Sequence, residues 1–138
     1  MGIRSENTEG FAMFKISVEG RFDAAHFLRG YQGSCEKLHG HTYTVRAVAA
    51  RNELDHLGLV IDFKEMRRIL HTAIDEMDHT LLNDLEPFKE RNPSAENIAA
   101  HVYTVMQPLV ELQGADLQEV TIWETPGNSI TYSEERPE

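Results

Sequence analysis

A chain of 138 residues with 41% hydrophobic and 26% charged side chains is sized and composed for one globular domain with a substantial core. Its 13 basic and 23 acidic residues leave a net charge of −10, which argues against nucleic acid as a partner because phosphate contacts need a basic surface. The single cysteine rules out an internal disulfide. With no run of about 18 apolar residues and no leader-like segment, the expectation is a cytoplasmic protein without a membrane partner.

Residues 1–12 are mostly polar and without period, and read as a loose extension. Residues 13–138 read as one domain. From Phe14 the chain alternates: Phe14, Ile16, Val18, Phe22, Ala24 and His26 share one side, with Lys15, Ser17, Glu19, Arg21 and Asp23 on the other. That is the pattern of a half-buried strand. A glycine-rich loop containing Cys35 follows. A second strand is expected from about His39 to Ala50, with His39, His41, Tyr43, Val45 and Ala47 on one face.

Asp62 can cap a helix, with Glu65 at the reciprocal capping position and Met66, Ile69, Leu70, Ala73, Ile74 and Met77 as an apolar stripe. Residues 78–94 form a long connection. A second helix starts after Pro93 and Ser94, with Ile98, Val102, Val105, Met106 and Leu109 inward, and Pro108 is expected to kink or end it near its last turn. Two short strands, about Leu117–Glu124 and Ser129–Tyr132, are joined by the turn signal PGN. The order β-β-α-α-β-β belongs to the α+β class.

One histidine on an apolar strand face is ordinarily a satisfied core residue. Three are harder to explain that way. Residues i and i+2 of a strand point to the same side, so His39 and His41 project together. His26 ends the preceding strand on its apolar side, and a hairpin pairing would bring it beside them. Three neutral imidazoles supply most of a zinc tetrahedron and leave one position open, the arrangement of catalytic zinc. Buried together without a metal, they would repel when protonated and lack partners when neutral.

Cys35 lies in a polar loop four residues before His39, where a nearby cation would lower its thiol pKa. A proton-transfer group and a fourth ligand are both open roles. Asp78 and His79 follow the first helix, where the helix dipole alone would favour an imidazole. Glu124 continues the parity of Val120 and Ile122, which carries a carboxylate onto an apolar face. A ligand bearing several N–H groups would supply its missing donors. Glu96 is explained by the dipole of the second helix, and His56, His71 and His101 read as surface residues.

The segments FDAAH (22–26), CEKLHGH (35–41), LVIDF (59–63), MDHTLLN (77–83), NPSAENIA (92–99) and WET (123–125) occur in one order. In that order the chain resembles the 6-pyruvoyl-tetrahydropterin synthase family over about residues 13–133, and most of all its bacterial 6-carboxy-5,6,7,8-tetrahydropterin synthase branch of the queuosine pathway. The resemblance implies a T-fold (tunnelling fold), with sheets from several subunits closing into an oligomeric barrel, as a homohexamer made of two trimers. It implies Zn2+ on His26, His39 and His41, Cys35 as catalytic acid/base, a relay through Asp78 and His79, and Glu124 anchoring a pterin ring with help from Glu96.

The expected activity is therefore a zinc-dependent lyase. It would convert 7,8-dihydroneopterin triphosphate to 6-carboxy-5,6,7,8-tetrahydropterin with loss of triphosphate and acetaldehyde. The rivals are 6-pyruvoyl-tetrahydropterin synthase activity on the same pterin triphosphate, and a zinc-binding T-fold protein without turnover, for which Cys35 and His79 would be dispensable.

Overall fold

The computed structural model describes residues 12–33 and 37–135. Five strands form one sheet: β1 (Phe14–His26), β2 (His39–Arg51), β3 (Thr80–Leu81), β4 (Asp116–Thr125) and β5 (Asn128–Tyr132), in the order β3-β1-β2-β4-β5. Helices α1 (Phe63–Ile74) and α2 (Ala95–Leu112) both cover one face, α1 against β1 and α2 against β4 and β5. The alternation in the sequence is the cause. Val18 and Phe22 of β1, Tyr43 and Val45 of β2, and Val120 and Ile122 of β4 are buried beneath Met66, Ile69 and Leu70 of α1 and Ile98, Val102 and Met106 of α2. The opposite face carries Glu19, Arg21, Asp23 and Thr42, and no helix among the described residues covers it.

Gly20 stands on the apolar side of β1, where a Cβ would lie 2.8 Å from Ile74 Cδ1 and 3.2 Å from Leu70 Cδ2. Its missing side chain lets α1 seat closely on the strand. β1 and β2 pair antiparallel along their whole length, from Phe14 opposite Arg51 to His26 opposite His39. Pairing of β2 with β4 shifts between Val48 and Ala49, and pairing of β4 with β5 shifts between Trp123 and Thr125, around Glu124.

Several local expectations need correction. Asp62 caps α1 by accepting Lys64 N–H at 2.7 Å, but Glu65 does not reach back to close a capping box. It pairs with Arg68 instead, at 2.5 Å, because a guanidinium one turn away is a stronger partner than a solvated backbone N–H. Met77 is buried but lies beyond the end of α1. Pro108 stands one turn before the end of α2 at Leu112, near the last turn as expected; burial of Met106 and Val110 on either side holds that turn despite the lost donor. Val105 and Leu109 are only partly buried, whereas Tyr103 and Val110 are fully so. The connection after α1 contains β3, which runs parallel to β1 through Ala24–Thr80 and Ala25–Leu81, and two 3-10 turns at Leu82–Asp84 and Glu86–Phe88.

Candidate active site

The register of the β1–β2 hairpin decides the site. His26 lies opposite His39 and Ala24 opposite His41, so three imidazoles meet at one end of the apolar face. Their ring centroids are 4.6 Å (His26–His39), 5.2 Å (His26–His41) and 4.9 Å (His39–His41) apart. One nitrogen from each falls within 4.8 Å of the others. His26 is buried at 1% exposure, and the other two are half-buried.

Two backbone carbonyls set the tautomers. His26 Nδ1–H donates to Pro93 O at 2.6 Å, and His39 Nδ1–H donates to Lys37 O at 2.7 Å. In the neutral form of each ring Nε2 then carries a lone pair, and the two Nε2 atoms face each other at 3.1 Å. Lone pair against lone pair is repulsive unless a cation lies between them. In a tetrahedral zinc site with Zn–N near 2.05 Å, ligand nitrogens are roughly 3.3 Å apart. The donor set fits such an ion. Burial lowers the pKa of His26 below the usual imidazole range, against the raising effect of the Pro93 carbonyl, and burial lowers His41 as well. The lowering favours the neutral form of His26 and His41, the form that metal ligation requires.

Tyr43 forms the floor of the cluster. It is fully buried, its ring stacks on Phe22 at 4.8 Å, and its hydroxyl lies 3.2 Å from His26 Nδ1. Burial raises its pKa far out of the physiological range, so it is a neutral phenol. Two residues beyond His41 on one strand face, Tyr43 was legible as a core position, but its contact with His26 was not.

Glu124 sits where the β4–β5 ladder slips, and its carboxylate comes within 3.9 Å of His26 Nε2 at 32% exposure. It lines a cavity of about 220 Å3 together with His26, Ser94, Glu96, Asn128 and Ser129. Glu96 reaches this cavity from the first turn of α2, which Ser94 caps by accepting Asn97 N–H at 3.2 Å. His26, Glu124 and Glu96 therefore share one pocket although 28 to 98 residues separate them in sequence.

Asp78 and His79 are placed elsewhere, at the outer edge of β1. Asp78 Oδ1 accepts Asp23 N–H at 2.9 Å, His79 N–H donates to Asp23 O at 2.5 Å, and His79 Nδ1 lies 3.0 Å from Asp78 Oδ2. The hydrogen bond from Asp23 N–H, with help from His79, holds the Asp78 carboxyl below the ordinary range. His79 has φ of 58°, a left-handed backbone that a β-carbon disfavours. Its ring is exposed and shares a shallow groove with His41, floored by Asp23, Gly40 and Thr42. Cys35 lies outside the described residues.

The remaining histidines divide. His71 is a surface residue paired with Asp75 at 2.8 Å, but His101 is half-buried edge-on to Phe88 at 5.7 Å, and burial lowers its pKa. A surface assignment fails for His101 because the 3-10 turn at Glu86–Phe88 folds over α2, which helical periodicity could not indicate.

The chain matches the family model described as 6-pyruvoyl tetrahydropterin synthase over residues 15–135. It is 32% identical over 126 residues to the 6-carboxy-5,6,7,8-tetrahydropterin synthase of Bacillus subtilis, covering 86% of this chain and 84% of that protein. It is also 32% identical over 145 residues to the enzyme of the same name from Haemophilus influenzae, covering 88% of this chain and all of that one. Among solved structures, Caenorhabditis elegans 6-pyruvoyl tetrahydropterin synthase superposes with a TM-score of 0.80 at 27% identity, over 91% of this chain and 98% of that one. The α+β sheet-and-two-helix architecture is the T-fold of these proteins, and the chain belongs to the 6-pyruvoyl tetrahydropterin synthase family.

Proposed function

We propose that the protein is a zinc-dependent lyase that converts 7,8-dihydroneopterin triphosphate to 6-carboxy-5,6,7,8-tetrahydropterin, releasing triphosphate and acetaldehyde. The observation that carries this reading is the convergence of three imidazoles, with Nε2 of His26 and His39 3.1 Å apart, beside the Glu124 pocket. His26, His39 and His41 would hold the ion. When bound there, zinc supplies Lewis-acid polarisation of substrate hydroxyl and carbonyl oxygens. Glu124 accepts hydrogen bonds from the ring N–H and exocyclic amine of a pterin, which orients the side chain toward the imidazoles. Glu96 lines the same cavity from the α2 side.

Proton movement falls to Cys35 and to His79, whose Nδ1 is fixed by Asp78 so that Nε2 is turned outward. None of the hydrogen bonds of Asp78 or His79 among the described residues reaches the imidazole cluster or Glu124. This favours a site completed by a neighbouring copy, in a hexamer of two trimers whose sheets close into a barrel. Among the described residues, the sheet edges at β3 and β5 carry no further strand and the second face no helix, which suits such closure. Arg29, Lys37 or another local base would offset the triphosphate charge; the Arg29 guanidinium donates to Phe88 O at 2.9 Å and lies 3.5 Å from the carbonyl oxygens of Asn83 and Arg91.

A second reading, pyruvoyl synthase activity, is favoured by the TM-score of 0.80 to the nematode enzyme of that name. Incubation of the zinc-loaded protein with 7,8-dihydroneopterin triphosphate, with products identified by mass, separates the readings. A pterin keeping one side-chain carbon, together with acetaldehyde, supports the carboxy product. Retention of all three carbons supports the pyruvoyl product. Recovery of unchanged substrate refutes both.

A further inference from the structure

After His26 the chain leaves β1, yet its main chain does not go unpaired. Asn83, 5% exposed, accepts Phe27 N–H on Oδ1 at 3.1 Å and donates Nδ2–H to Phe27 O at 3.0 Å. Two residues further on, Asn92 repeats the pattern. It accepts Arg29 N–H at 2.9 Å and donates to Arg29 O at 3.1 Å. A side-chain amide offers the same donor and acceptor as a peptide group. Alternate residues of the departing chain take the two asparagines as they would take a neighbouring strand. The course of β1 is thus continued past its last backbone partner.

His26 stands at the junction of these contacts. Its main chain is followed directly by Phe27, held by Asn83, and its ring is held by the carbonyl of Pro93, the residue after Asn92. Asn92 is itself fixed, since its carbonyl accepts Asn97 Nδ2–H at 2.8 Å. Asn92 therefore ties Arg29, three residues past His26, to the chain at Pro93, whose carbonyl selects the His26 tautomer. Neither asparagine lines the Glu124 cavity.

We propose that Asn83 and Asn92 are positioning residues for the metal site, which keep His26 Nε2 turned toward His39 and His41 and make no contact with substrate. The proposal rests on reading the three histidines as the metal ligands. Outer-shell groups that orient a ligating imidazole typically carry roughly 10- to 100-fold in metal affinity.

The test uses the full chain titrated with Co2+, read by its visible absorption in the absence of substrate, alongside melting temperature. Wild type should bind one Co2+ per chain with tetrahedral bands. Asn92→Ala should bind about tenfold or more weakly, with shifted bands. Asn92→Asp keeps the acceptor for Arg29 N–H but loses the donor to Arg29 O. It should fall between the two, and it serves as the reporter if Asn92→Ala does not fold. Val110→Ala, a core truncation near the far end of α2, should lower the melting temperature and leave Co2+ affinity unchanged. Wild-type affinity and bands in the foldable Asn92 variant would overturn the proposal, as would an equal loss in Val110→Ala. Absence of Co2+ binding in wild type would sink the ligand reading itself, and this inference with it.

Discussion

Lowering the pH of the metal-free protein from 8 to 5 is expected to destabilise it in a window that belongs to buried imidazoles. His26 is 1% exposed, and its burial lowers its pKa from the usual value near 6.5. As the pH falls through about 6.5, the unfolded chain binds a proton that the folded His26 does not accept. Its stability contribution is therefore complete above about pH 6.5. It is lost at up to about 1.4 kcal/mol per pH unit until the folded pKa is reached. Half-buried His101, lowered by burial behind Phe88, adds a slope of the same sign. His41 is also lowered, but it is open enough to solvent that screening reduces its share. Asp78, held low by Asp23 N–H, loses its contribution only in the carboxylate range near pH 4, outside this window. Urea unfolding with a chelator present, followed at half-unit pH steps, measures the slope. His26→Gln should remove the share of His26, and His101→Gln that of His101. Stability that stays flat or rises between pH 7 and 5, or a slope unchanged in both variants, would refute the reasoning.

His41→Ala should lose the bound metal, and elemental analysis after dialysis should find well below one zinc per chain where wild type holds about one. Cys35→Ala should keep the metal and the fold while turnover falls roughly 10²- to 10⁴-fold; loss of zinc in parallel would make the thiol a ligand instead. Because Glu36 stands beside it, Cys35→Ala combined with Glu36→Gln should be assayed in the same series. Cys35→Ala and His79→Ala, each nearly inactive alone, should recover partial activity when unfolded together and refolded into mixed oligomers. Confirmed mixed assembly without recovery would count against a site shared between copies.

Much of the architecture is legible in the chain itself. Period-two alternation over Phe14–His26 and His39–Arg51, and helical stripes from Met66 to Ile74 and from Ile98 to Met106, are local records of which face each element buries. A strand also tells its own parity, so the projection of His39 and His41 to the same side followed from their spacing alone. Tertiary structure decided the partners. The pairing of His26 with His39 is a matter of register, and a slip of one residue would have turned one of them to the polar face. The Pro93 carbonyl that selects the His26 tautomer lies 67 residues away and has no side-chain signature. The two-residue strand β3, the asparagine contacts to Phe27 and Arg29, and the cover over His101 all come from the connection between the helices. In that segment the partners come from proximity in the fold. A hydrophobic pattern records only which side of an element meets the core, whereas hydrogen bonds across such distances depend on how separate elements are packed, and that packing exists only once the chain has folded.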